Sequence, residues 1–134
     1  MPFPAETVRT ALMNGWQLAQ WWGPAGYRNE FREFNPVPGG DWRFDMIAPD
    51  GTRHANHHVF VSVSNDKIIF DHVSQPPFRM TIGIEARGLS TLFSFQMSFA
   101  SAEQLEGLKA LIIPSNEQNF DRLEALLRRD GTTL

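Results

Sequence analysis

The sequence predicts an α+β domain: a curved antiparallel sheet wrapped around a long C-terminal helix, with two short helices near the N-terminus. Two observations carry that prediction. Helical patterning stands at the two ends of the chain, while the middle consists of period-two segments joined by short turns, an order that needs no crossover connections. The aromatic set is eleven Phe and four Trp against one Tyr, rings suited to burial rather than to water.

The elements follow in order. Pro4 is a helix-start signal, and Val8, Ala11 and Leu12 at helical spacing predict a helix from Ala5 to Met13. Asn14-Gly15 breaks it. A second short helix carries Trp16, Leu18, Ala19 and Trp22 until Gly23-Pro24 stops the run. Tyr27 to Asn35 reads as a polar strand, Pro36-Val37-Pro38-Gly39-Gly40 as a turn, and Trp42 to Met46 as an alternating strand. Pro49-Asp50-Gly51 marks a tight hairpin. Val59, Val61 and Val63 lead into the turn Ser64-Asn65-Asp66-Lys67, and Ile68, Phe70 and His72 lead out of it. With Asn65-Asp66 at the tip, Val61 is expected opposite Phe70 and Val59 opposite His72. Further strands run through Phe78, Met80, Ile82 and Ile84, and from Thr91 to Phe99, where Phe93, Phe95, Met97 and Phe99 share one face. Ser101-Ala102-Glu103-Gln104 opens a helical region in a capping-box pattern that Pro114 interrupts. Ser115 is then the expected N-cap of a final helix reaching about Arg129.

With 134 residues the chain is expected to form one domain, residues 1–134. It has no cysteine, so disulfides and thiolate metal sites are excluded. A net charge of −3 with scattered Lys and Arg provides no basic stripe for nucleic acid and no polybasic membrane footprint. The N-terminus lacks the apolar core of a signal peptide and no stretch is long and apolar enough to span a bilayer, so a cytoplasmic location is expected.

Several motifs, in the right order along nearly the whole chain, carry a family resemblance. They are Trp21-Trp22-Gly23-Pro24, Pro38-Gly39-Gly40-Asp41-Trp42-Arg43-Phe44, Pro49-Asp50-Gly51, Phe70-Asp71-His72 and Asn119-Phe120-Asp121-Arg122-Leu123. Together they resemble homologues of the activator of the Hsp90 ATPase, within the START-like (SRPBCC), helix-grip superfamily. The resemblance implies the helix-grip fold. It also implies a ligand-binding cavity between sheet and helix, and its name implies a chaperone and stress-response setting that the sequence chemistry itself does not support. Members usually begin with a strand ahead of the first helix. Here Met1–Pro4 alone precede it, so that strand is expected to be absent and the Thr91–Phe99 strand to be an open, uncharged edge. An edge of that kind predicts a homodimer.

No catalytic motif stands out: there is no Gly-x-Ser-x-Gly elbow and no Gly-rich phosphate loop. His54, His57 and His58 look like a metal cluster in the linear sequence, but strand alternation sends His57 to the face opposite His54 and His58, so no metal is expected. No cofactor is expected either. The expected inner face joins His57, Val59 and Val61 to Phe70 and His72, with Met80, Ile82, Phe93 and Phe95 on later strands. On the last helix Leu123, Leu127, Phe120 and Leu126 define the buried stripe at about 100° per residue, and one turn back Asn116 and Asn119 fall on it. His57 and His72 facing these two Asn would form a polar cluster at one end of a cavity. Such a cluster either satisfies itself and the nearby backbone or orients a ligand. An imidazole there, lowered in pKa by desolvation, would be a neutral base.

Three functions are consistent with these residues. The first is binding of a small hydrophobic or aromatic ligand, at a site of His57, Val59, Val61, Phe70, His72, Met80, Ile82, Phe93, Phe95, Asn116, Asn119 and Phe120. The second is a cyclase- or dehydratase-like enzyme using His72 or His57 as acid–base. The third is a module that contacts a chaperone ATPase. The binding module is the reading the residues favour.

Overall fold

The computed structural model describes residues 2–74, 77–99 and 117–129. The helical region expected from Ser101, the Ser115 cap and Asn116 lie outside them. Helix α1 (Ala5–Met13) buries Val8, Ala11 and Leu12, the spacing that predicted it. Asn14 ends α1 with its backbone N–H bonded to Thr10 and starts α2 (Gly15–Trp21) with its side chain accepting from the Gln17 N–H. One residue thereby serves two helix ends, which fixes the angle between them.

Six strands follow: β1 (Arg28–Phe34), β2 (Asp41–Ile47), β3 (Arg53–Val63), β4 (Lys67–His72), β5 (Phe78–Arg87) and β6 (Ser90–Ser98). They form one antiparallel meander in sequence order, β1 to β6, so every strand pairs with its neighbour in the chain. Helix α3, residues 117–129, lies against the inner face of this curved sheet. Phe120 packs edge-on to Phe93 at 5.5 Å and beside Phe95 at 4.8 Å, while Leu123, Leu126 and Leu127 enter the core. The expected stripe of α3 is the one that is buried.

The β1–β2 turn is tight. Gly39 has φ +81, and a Cβ on Gly40 would run into the Asn35 carbonyl oxygen, so the two glycines answer a backbone conformation and a close approach respectively. The loop continues the ladder to β3, with the Gly39 N–H donating to the Phe60 carbonyl and the Phe60 N–H to that of Gly40.

One register differs from the sequence expectation. Val63 pairs with Ile68 and Ser62 with Ile69, as the hairpin tip predicts. A bulge at Val61 then shifts the rest of β3 by one residue, so Phe60 pairs with Phe70, Val59 with Asp71 and His58 with His72. His57, Val59 and Val61, expected inside, therefore lie on the outer face. Val61 is 39% exposed, and His57 Nε2 meets Asp41 Oδ1 at 2.8 Å. The reason is size: the bulge places the Phe60 ring in the core at 3% exposure, where an unbroken register would leave it in water.

Candidate functional site

The corrected register builds a row of rings straight across the inner face. Phe34, Trp42, His58, His72 and Phe78 are successive cross-strand partners on β1 to β5. The Trp42 and His58 rings meet edge to face with centroids 4.5 Å apart, and His58 and His72 are 4.9 Å apart. His72 stacks on Phe78 at 4.6 Å, and His58 stacks on Phe70 of the adjacent row at 4.4 Å. Trp22, leaving the end of α2, closes over this row: it lies 5.2 Å from Trp42, 6.1 Å from Phe70 and 5.9 Å from Phe95.

The imidazole pair lies within the aromatic core, His58 2% exposed and His72 6%. Burial holds the His58 pKa well below its ordinary value, with repulsion from His72 and then His57 adding to the effect. His58 is therefore neutral near pH 7. His72 Nε2 lies 2.9 Å from Asn56 Oδ1 and 3.1 Å from Ser74 Oγ, and Ser74 Oγ also accepts the His57 backbone N–H. Ring stacking on Phe78 together with these polar neighbours fixes the orientation of His72. Among the described residues, three buried side-chain atoms lack a hydrogen-bond partner: Asn29 Oδ1, Trp42 Nε1 and His58 Nδ1. Unmatched groups of this kind are uncommon in a folded interior.

Burial varies along the inner face. Trp42, Phe44, Phe60, Phe70, Met80 and Ile82 are fully buried. Phe78, Phe93, Phe95, Met97 and Phe120 are only half-buried. The accessible apolar wall thus lies at the β5–β6 side, beside α3.

Polar residues of α3 do a different job from the one expected. Asn119 is buried, and its Oδ1 accepts the Gly23 N–H at 2.6 Å. Gln118 Oε1 accepts from the Ala25 N–H at 2.9 Å. Arg122 donates to the carbonyls of Gln20, Trp22, Gly23, Pro24 and Tyr27, all between 2.9 and 3.1 Å. Together these side chains clamp the Trp-Trp-Gly-Pro turn and so hold Trp22 in place. Its partial burial lowers the Arg122 pKa through desolvation. Gly23 has φ +95, and a Cβ there would overlap the Met46 methyl group.

Of the expected site residues, the fold places Phe70, His72, Met80, Ile82, Phe93, Phe95 and Phe120 on the interior. It turns His57, Val59 and Val61 outward, and Asn116 lies outside the described residues. His58 and Phe60 are the interior residues that the unbulged register overlooked. The available signal was the run Val59-Phe60-Val61, in which the large ring rather than the valines belongs inside. Among the described residues no group of His, Asp and Glu is arranged to hold a metal ion, and no helix is long and apolar enough to cross a membrane. The outer face instead carries ion pairs. Arg32 and Arg53 both bind the Asp45 carboxylate, at 2.7 and 3.3 Å, and hold it below the usual carboxylate range, Arg32 contributing most.

A meandering antiparallel sheet gripping a C-terminal helix over a ring-lined interior defines a START-like α+β protein. The family of activator of Hsp90 ATPase homolog 1-like proteins matches residues 2–128, and the chain belongs to it. Solved structures agree on the fold. A protein from Nitrosomonas europaea aligns with TM-score 0.90 at 18% identity, over 98% of this chain and 92% of that one. A solution structure from Arthrobacter aurescens gives 0.88 at 20%, over 96% and 82%. A protein of the same family from Silicibacter pomeroyi gives 0.75 at 16%, over 97% and 94%. No curated protein matches the chain.

Proposed function

We propose that the protein binds a small hydrophobic or aromatic molecule between β5–β6 and α3. The observation that carries this reading is the half-buried apolar wall of Phe78, Phe93, Phe95, Met97 and Phe120, which continues into a buried core containing two imidazoles. A concave apolar surface with sparse polar groups is the usual form of a small-molecule site. The family's fold is consistent with binding or with protein interaction. The ring geometry favours binding. The catalytic reading loses His57, which faces Asp41 on the outer surface.

A solvatochromic dye tests the proposal. The folded protein should take it up, and Phe95→Trp should block uptake at a stability cost of about 1–3 kcal/mol from overpacking. Val61→Phe, on the outer face, should leave uptake unchanged. Dye binding insensitive to Phe95→Trp would refute the location.

We also propose self-association through β6, which among the described strands pairs with β5 alone. Its sequence Ser90–Ser98 has no charge and no proline to discourage a second copy. Gln96→Pro should shift a dimer toward monomer in light scattering. A wild-type chain that stays monomeric at high concentration would refute pairing.

A further inference from the structure

The unpartnered atoms Trp42 Nε1 and His58 Nδ1 belong to residues that face each other across β2 and β3, with rings in edge-to-face contact at 4.5 Å. Trp42 is 1% exposed and His58 2%, so neither nitrogen is served by bulk water. An indole N–H only donates. A neutral imidazole nitrogen accepts in one tautomer and donates in the other.

We propose that Trp42 and His58 together hold the oxygen of a hydroxylated aromatic ligand, so that the site prefers small neutral phenols to hydrocarbons of the same shape. The inference rests on the binding reading above and specifies its ligand class. A hydroxyl suits the pair in either tautomer: it accepts from Trp42 and either donates to a bare His58 Nδ1 or accepts a second hydrogen bond from it. A carbonyl leaves a bare Nδ1 unmatched. An anion is disfavoured, because no Lys or Arg is among the buried residues described and the Arg122 guanidinium is already bonded to backbone carbonyls. Phe44, Phe70 and Trp22 surround the pair with rings, an environment suited to an aromatic body. Trp22 stands between this pair and Phe95, so a ligand arriving from the accessible wall moves that ring.

The test compares 2-naphthol with 2-methylnaphthalene as displacers of the bound dye. Wild type should favour the naphthol by roughly tenfold, the worth of one or two buried hydrogen bonds. Trp42→Phe and His58→Phe should each shrink the naphthol preference severalfold. Both positions are fully buried, so a second measurement uses the unmodified protein. The Trp42 indole N–H resonance should move downfield with 2-naphthol and not with 2-methylnaphthalene. Equal affinities in wild type, or an indole resonance indifferent to the hydroxyl, overturns the inference while leaving apolar binding intact. If the protein takes up neither dye nor displacer, the binding reading fails and this inference fails with it.

Discussion

Acidification should weaken the fold through His58, and the size of the effect follows from its surroundings. Its pKa in the folded protein is lowered by burial first and by His72 and His57 second, while the unfolded chain returns it to about 6.5. The unfolded state therefore takes up a proton on His58 that the folded state refuses. Stability from this group is complete above the unfolded value and falls as pH drops below it, by up to about 1.4 kcal/mol per unit until the folded value is reached. Between about pH 7.5 and about pH 5.5, an unfolded pKa near 6.5 predicts a loss of up to about 1.4 kcal/mol from His58 alone. The measurement is therefore taken as a difference between the wild type and a variant that lacks this imidazole. Urea midpoints of wild type and His58→Phe at both pH values should show a pH penalty smaller by up to about 1.4 kcal/mol in the variant. Identical penalties in both proteins would mean that His58 reaches water or a carboxylate in the fold, and the buried imidazole row would have to be abandoned.

Two further perturbations test the α3 clamp. Arg122→Lys offers three donors to five carbonyls, so at least two go unserved. A loss of about 1–3 kcal/mol in chemical unfolding is expected, and an unchanged midpoint would show the contacts to be dispensable. Gly23→Ala meets both a positive φ and the Met46 methyl, so about 2 kcal/mol or more should be lost, whereas Gly39→Ala, with open space around it, should lose only the conformational part.

Much of the fold could be read from the residues because each of its signals is local. Pro49-Asp50-Gly51 turns the chain where expected, the alternation of Phe93, Phe95 and Met97 faces one way, and Leu123, Leu126 and Leu127 are buried as a helical stripe. The site was harder because it depends on a single inserted residue. The hairpin tip set the pairing of Val63 and Ser62 correctly, but the bulge at Val61 exchanged His57 for His58 and Val59 for Phe60 on the inner face. Period-two patterning carries no information about where a register slips. The volume of Phe60 did, and weighing ring size against alternation would have located it. Asn119 was correctly expected on the buried stripe. Its partner was not foreseen, because the Gly23 N–H is a backbone group with no sequence signature and lies 96 residues away.

The Arg122 clamp also bears on how the chain comes into being. Its bond to the Trp22 carbonyl spans 100 residues, whereas every strand pairs with the one made just before it. At roughly 5–20 residues per second of synthesis, the turn at Trp22 waits about 5–20 seconds for the side chain that secures it. During that interval the hairpins can assemble one by one on the emerging chain with no α3 to cover Phe93 and Phe95. The nascent protein therefore passes through a stage in which an apolar wall faces the surrounding solution, a hazard set by the order of translation rather than by the stability of the finished fold.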